Sequence, residues 1–151
     1  MPSKETAQGR FQDEFEQSID SKHRITIPAV WRRGKPEQFI LMAGRKDSCL
    51  EVMPPEEFNK AEEEATSHPT LTPRQRRQVK RAFNSGATRV TADEQGRFVL
   101  SDKLCERIGI KDAIVFVGVK ETFEIWNPDH RALSAKSDES ALDLAFELIG
   151  R

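Results

Sequence analysis

Polar and apolar side chains alternate with a period of two from Glu14 to Ile19, and again over Arg24-Ile-Thr-Ile after the tetrapeptide Asp20-Ser-Lys-His. Period two with β-branched residues predicts two half-buried strands, joined here as a hairpin. Pro28 suits the first turn of a short helix over 29–33, which Gly34 and Pro36 stop. Strands are expected at 38–43 and 48–53, joined by the polar turn Gly44-Arg-Lys-Asp into a second hairpin. Pro54-Pro55 opens a helix over 56–67 with Glu56 and Glu57 at its dipole-favoured end, and His68-Pro69 breaks it. Thr72 as N-cap and Pro73 restart a helix over 74–84, where Val79 and Phe83 form one apolar stripe before Ser85-Gly86 ends it.

The same order then returns. Strands are expected at 87–91 and 97–100 around the turn Asp93-Glu-Gln-Gly, then a short helix at 102–107 and strands at 113–117 and 122–126. Gly96 supplies the positive φ that a tight turn demands. Asp20 and Arg24 correspond to Asp93 and Arg97 at an offset of 73 residues. At that offset, without a gap, Phe39-Ile-Leu-Met-Ala faces Asp112-Ala-Ile-Val-Phe, Leu50-Glu-Val-Met faces Phe123-Glu-Ile-Trp, and Pro55 faces Pro128. One unit is present twice, and two units of this size bury enough apolar surface only by sharing a core. Beyond Pro128 the chain reads as polar as far as Ser137-Asp-Glu, followed by an amphipathic helix over 140–149 with Leu142, Ala145, Phe146 and Ile149 on its apolar face.

Composition narrows the possibilities. Of 151 residues, 36% are hydrophobic and 32% charged, and no apolar run approaches the roughly 20 residues of a membrane span. Residues 1–10 lack an apolar signal segment and are expected to be a disordered leader, so a cytoplasmic location is expected. Cys49 and Cys105 occupy unlike places in the repeat and are expected to be inert reduced thiols; two Cys and three His build no zinc site. Trp31 and Trp126 are expected to anchor the core.

The net charge of -1 argues mildly against a nucleic-acid partner, but the charges are segregated. Lys22, His23 and Arg24 at the first turn are joined by Arg32, Arg33 and Lys35 from the short helix, forming one basic cluster. The second turn has Glu94 and Gln95 where the first has Ser21 and Lys22, so the first unit is expected to supply most of the phosphate contact. Within each turn the carboxylate and guanidinium can pair bidentately and fix its shape. The acidic helix over 56–67 and the basic one over 74–84 offer mutual compensation within or between subunits, which favours a packing or interface role. Asp plus Arg offers no nucleophile or metal site, so no enzyme, cofactor or small-molecule substrate is expected.

Taken together, the duplicated Asp-x-x-x-Arg, the run Asp20-Ser-Lys-His-Arg-Ile-Thr-Ile-Pro, the Arg-rich helix, Asp93-Glu-Gln-Gly-Arg-Phe, Val117-Gly and Phe123-Glu-Ile-Trp resemble the MraZ family, over about residues 11–131. That resemblance implies an α+β fold of the SpoVT–AbrB type, a duplicated swapped-hairpin β-barrel formed by two halves of one chain, with helices between and after them. The halves would be 11–55 and 87–130, linked by helices over 56–86 and followed by a tail helix over 131–151. It further implies a ring-shaped homo-oligomer that regulates transcription, nucleoid-associated, at repeated boxes in double-stranded DNA in the promoter of a division and cell-wall gene cluster. Arg24 and Lys22 would contact DNA, with His23, Arg32, Arg33 and Arg97 as further candidates, while Asp20, Asp93 and Gly96 structure the loops. Two positions depart from the family: His23 stands where Gly is usual, and Ser101 where Pro is usual. The alternative reading is an AbrB-type antidote that masks a protein partner with its C-terminal segment, 129–151.

Overall fold

The computed structural model describes residues 9–45 and 48–151; the rest of the expected leader and of the Gly44–Asp47 turn lies outside the described residues. The strands are β1 Glu14–Ser18, β2 Arg24–Thr26, β3 Glu37–Ala43, β4 Cys49–Met53, β5 Ala87–Ala92, β6 Arg97–Val99, β7 Ala113–Gly118 and β8 Phe123–Trp126. The helices are α1 Pro55–Thr66, α2 Pro73–Ser85, α3 Asp102–Ile108 and α4 Pro128–Leu148, and the short helix after Pro28 is a single 3-10 turn, Ala29–Trp31. The class is α+β with antiparallel pairing throughout.

Sequence neighbours pair only in the hairpins β3–β4, as expected, and β7–β8. β1 and β2 share no ladder, contrary to the hairpin expected there: β1 pairs with β7 and β2 with β6. Likewise β5 pairs with β3, and β4 with β8, so each of these ladders joins one half of the chain to the other. Alternation reports that a strand has one buried face; it carries no information about which strand lies beside it. The ladders give a six-stranded sheet ordered β1-β7-β8-β4-β3-β5, open at β1 and β5, and a separate ribbon of β2 and β6. These ladders form no closed barrel.

Pairing also corrects the ungapped repeat. Glu14 lies opposite Val117, and Ala87 opposite Met42. If Ala87 answers to Glu14 (87 − 14 = 73), then Val117 answers to Met42 (117 − 42 = 75), so Phe39 corresponds to Ile114 and not to Asp112. Burial agrees: Phe39 and Leu41, like Ile114 and Phe116, are wholly buried. α3 is longer than the 3-10 turn, which adds residues before β7. The β7–β8 connection gives them back, spanning Gly118 to Phe123 where β3–β4 spans Ala43 to Leu50.

The main core lies between one face of the sheet and the inner face of the ribbon, where Ile25 and Phe98 meet Phe39, Leu50, Phe116 and Phe123. Trp31 is 1% exposed, packs edge-on to Phe11 and Phe116, and donates its indole N–H to the Gln12 carbonyl at 2.9 Å. Arg10, at the edge of the expected leader, is tied to both Glu37 oxygens at 2.5 and 2.6 Å and lies 4.7 Å from the Phe11 ring centre. On the sheet's opposite face, Ile40 and Met53 pack against Phe58 of α1, and Trp126 against Cys49 and Val115. Both tryptophans are therefore buried, but on opposite sides of the sheet. Neither buried cysteine forms a disulfide.

α4 corrects the expected polar tail. It is continuous from Pro128, because the Asn127 side chain accepts from the Asp129 N–H at 2.8 Å and Pro128 needs no N–H in the first turn. Arg131 then ties the early turns down, bonding Glu14 at 2.9 Å and Asp138 at 2.6 Å. Polar side chains here mark a solvated helix, not a break. No helix among the described residues is long and apolar enough to cross a membrane.

Candidate nucleic-acid interface

The ribbon has one buried and one outer face, because alternation sends Ile25 and Phe98 inward and leaves Arg24, Thr26, Arg97 and Val99 outward. Arg24 lies opposite Val99, and Thr26 opposite Arg97. Each end of the ribbon is closed by a hydrogen bond between halves: the Ile27 N–H donates to the Gly96 carbonyl at 2.8 Å, and the Leu100 N–H to the His23 carbonyl at 2.9 Å. These bonds are related by the offset of 73, so the ribbon is a local two-fold. An open groove of about 730 Å3 runs along this face, lined by both Asp–Arg pairs with Thr26 and Val99.

Both turns are built alike. Asp20 accepts from the Lys22 N–H at 3.0 Å and from the Arg24 guanidinium at 2.8 Å. Asp93 accepts from the Gln95 N–H at 2.9 Å, the Arg97 N–H at 2.9 Å and the Arg97 guanidinium at 2.8 Å. The Arg24 side chain bonds hold the Asp20 carboxyl below its ordinary value of 3.8, and the Arg97 backbone bond is the largest cause of the same shift at Asp93. The arginines still keep 62% and 59% of their side chains open to solvent, so each guanidinium is aimed by its aspartate without being consumed by it. Lys22, at the tip of the first turn, is exposed.

His23 and Gly96 occupy equivalent places and both have positive φ, 55° and 80°. The first turn thus keeps the same backbone shape despite histidine. The His23 side chain is directed to Asp102 at the start of α3, Nδ1 to carboxylate 2.9 Å. Ser101 keeps a structural role, its hydroxyl capping α3 by accepting the Leu104 N–H at 3.2 Å.

Arg32 and Arg33 do not join the first turn; with Lys35 they line a cleft beside Asp93, Glu94 and Gly96 of the second. Arg32 donates to the Ile27 carbonyl at 2.7 Å, and its stem crosses Gly96 so closely that a Cβ there would meet Arg32 Cδ at 2.9 Å. Arg33 is exposed beside Arg10, Val30 and Trp31. The expected cluster is therefore two surfaces. α1 and α2 meet through Phe58 and Phe83, ring centres 5.9 Å apart, and through Asn84 and Glu62. Among the described residues, Arg74, Arg77, Lys80 and Arg81 form no ion pair, although Glu63 of α1 lines a shared cleft with Arg77 and Lys80 of α2. Sequence reasoning passed over Gln17, whose amide brackets Thr26 by donating to its carbonyl and accepting its N–H, both at 2.8 Å. It also passed over Asp102. Period two in Arg24-Ile-Thr was the available signal that Thr26 shares the arginine's face.

The two halves also appear in comparison with known proteins. The model of a family described as "MraZ protein, putative antitoxin-like" matches residues 11–81 and 83–147. Three proteins carrying the name Transcriptional regulator MraZ are similar to the chain. One from Desulforamulus reducens is 36% identical over 92% of this chain and 97% of its own length. One from Caldanaerobacter subterraneus subsp. tengcongensis is 35% identical over 90% of this chain and 91% of its own. One from Clostridium tetani is 38% identical over 78% of this chain and 81% of its own.

Proposed function

Since the chain belongs to the MraZ family, we propose that it is a DNA-binding regulator of transcription and that the outer face of the β2–β6 ribbon is its DNA-binding surface. The observation that carries this reading is the pair of aspartate-buttressed, half-open arginines displayed on a two-stranded ribbon. A two-stranded ribbon fits the major groove, and arginine supplies both phosphate contact and bidentate recognition of guanine. Lys22 adds charge at the first turn only, since Glu94 and Gln95 occupy the equivalent tip, which supports the first half as the stronger phosphate contact. The pairing of strands between halves fits the swapped-hairpin arrangement.

The fuller reading has the regulator acting at repeated boxes in the promoter of a division and cell-wall gene cluster, in the cytoplasm and on the nucleoid, without enzymatic activity. One ribbon offers few phosphate contacts, so a ring of identical chains would gain affinity through effective concentration when several boxes are engaged together. The exposed cations of α2 and acids of α1, which form no ion pair among the described residues, are available for contacts between such copies. In a mobility-shift assay with the DNA upstream of the chain's own gene, Arg24→Ala is expected to weaken binding about tenfold or more and to lower the salt slope by roughly one. Unchanged binding would reject the site.

A second reading, an antidote that masks a protein partner through residues 129–151, is favoured by the apolar end of α4. Leu142, Phe146 and Ile149, expected on its apolar face, are 55%, 43% and 64% exposed in the single chain. Removing 129–151 separates the readings: DNA binding survives under the first, and partner masking is lost under the second.

A further inference from the structure

The outer face of the ribbon is two-fold in backbone and in its arginines but not in its remaining two side chains. Thr26 and Val99 are equivalent (99 − 26 = 73), and each lies opposite an arginine of the other half, Thr26 opposite Arg97 and Val99 opposite Arg24. The two cross-strand pairs are separated by two residues, about 6.6 Å along a strand, close to two base-pair rises. An exposed valine alone needs no explanation. This one is 58% exposed and lies directly opposite an arginine in an open groove that Asp20, Asp93 and Phe98 also line, while its counterpart carries a hydroxyl in the same place.

We infer that Thr26 and Val99 are base-reading positions, and that their difference makes the preferred box an imperfect dyad with a thymine methyl against Val99. The inference rests on the DNA-binding reading of the ribbon. Arginine to phosphate or guanine acts alike at both ends, because Arg24 and Arg97 are held by matching aspartates. Val99 offers only apolar contact, which in the major groove singles out the thymine C5-methyl, whereas Thr26 can also donate to or accept from a base edge. Gln17 fixes Thr26 through its backbone, leaving the hydroxyl uncommitted to that clamp.

The experiment selects double-stranded DNA from a random pool with the full-length protein. Each thymine of the selected duplex is then replaced singly by deoxyuridine, which removes only the methyl. The wild-type chain is expected to lose about fourfold in affinity at one position, the factor that burying one methyl corresponds to. Val99→Ser should abolish that loss while leaving the salt slope unchanged, and Thr26→Val should add a second methyl-sensitive position related by the dyad. A selected duplex bound tightly by the wild type, with no thymine whose methyl effect depends on Val99, overturns the inference and leaves the DNA-binding reading standing. Failure to select any duplex removes both.

Discussion

Gly96 shows how much one position can carry. Its φ of 80° is left-handed, and the Arg32 stem crosses it where a Cβ would sit. Gly96→Ala is therefore expected to destabilise the fold by about 2 kcal/mol, measured by urea unfolding. Adding Arg32→Ala should recover the steric share and leave the backbone share; no recovery would mean that Arg32 yields freely. His23 meets the same backbone demand with a side chain, and in exchange reaches Asp102. The need for a positive φ at the second turn was legible from Asp93-Glu-Gln-Gly, but the His23–Asp102 contact was not, because 79 residues separate the partners (102 − 23). The buttressing carboxyls also set a pH window. Their folded values lie below 3.8, so the order they lend the turns is complete above about pH 4 and is lost as pH falls through the depressed values. The Lys22 and Gln95 amide resonances should accordingly be unaffected by Asp20 and Asp93 titration from pH 8 to 5 and move only in stronger acid. Movement near neutral pH would contradict the assignment.

At the scale of elements, local chemistry was readable where it was self-contained. Thr72 and Pro73 announced the start of α2, and Thr72 does cap it, reciprocated by Gln75 in a capping box. α2 has no buried residue, so its stability depends more on this cap than on packing. Thr72→Ala should cost about 1 kcal/mol, seen as faster hydrogen exchange of α2 amides with little change in global unfolding. An equal shift of the global midpoint would show that α2 is integral to the core. Continuity of α4 was not legible because polarity in its first half does not distinguish a solvated helix from a loop; the decisive bonds run from Arg131 to Glu14 and Asp138, one of them 117 residues away in the chain. Strand identity was likewise visible in the alternation of Arg24-Ile-Thr, whereas strand partnership was not, since β2 finds β6 across more than seventy residues.

For the molecule as a whole, four of the ladders tie one half of the chain to the other. Alone, each half would keep only one ladder, β3–β4 or β7–β8, so unfolding is expected to be a single cooperative transition. A chain cut between α1 and α2, at the exposed His68-Pro69-Thr70 segment, should stay associated under native conditions and elute as one species; separation of the fragments would show the halves to be independent. The repeat itself was plain from the Asp–Arg turns, while its slip from 73 to 75 and back emerged only from which residues face each other. The size of that slip matters. A strand presents alternate residues to the interior, so adding two before β7 and removing two after it returns every side chain to the side it came from. A shift of one residue within the strand would have exchanged its faces, taking Ile114 and Phe116 out of the main core and putting Val115 into it. Duplicated halves of this kind can consequently drift in length in their connections, as the α3 region and the β7–β8 turn do, while the strands themselves tolerate only even steps.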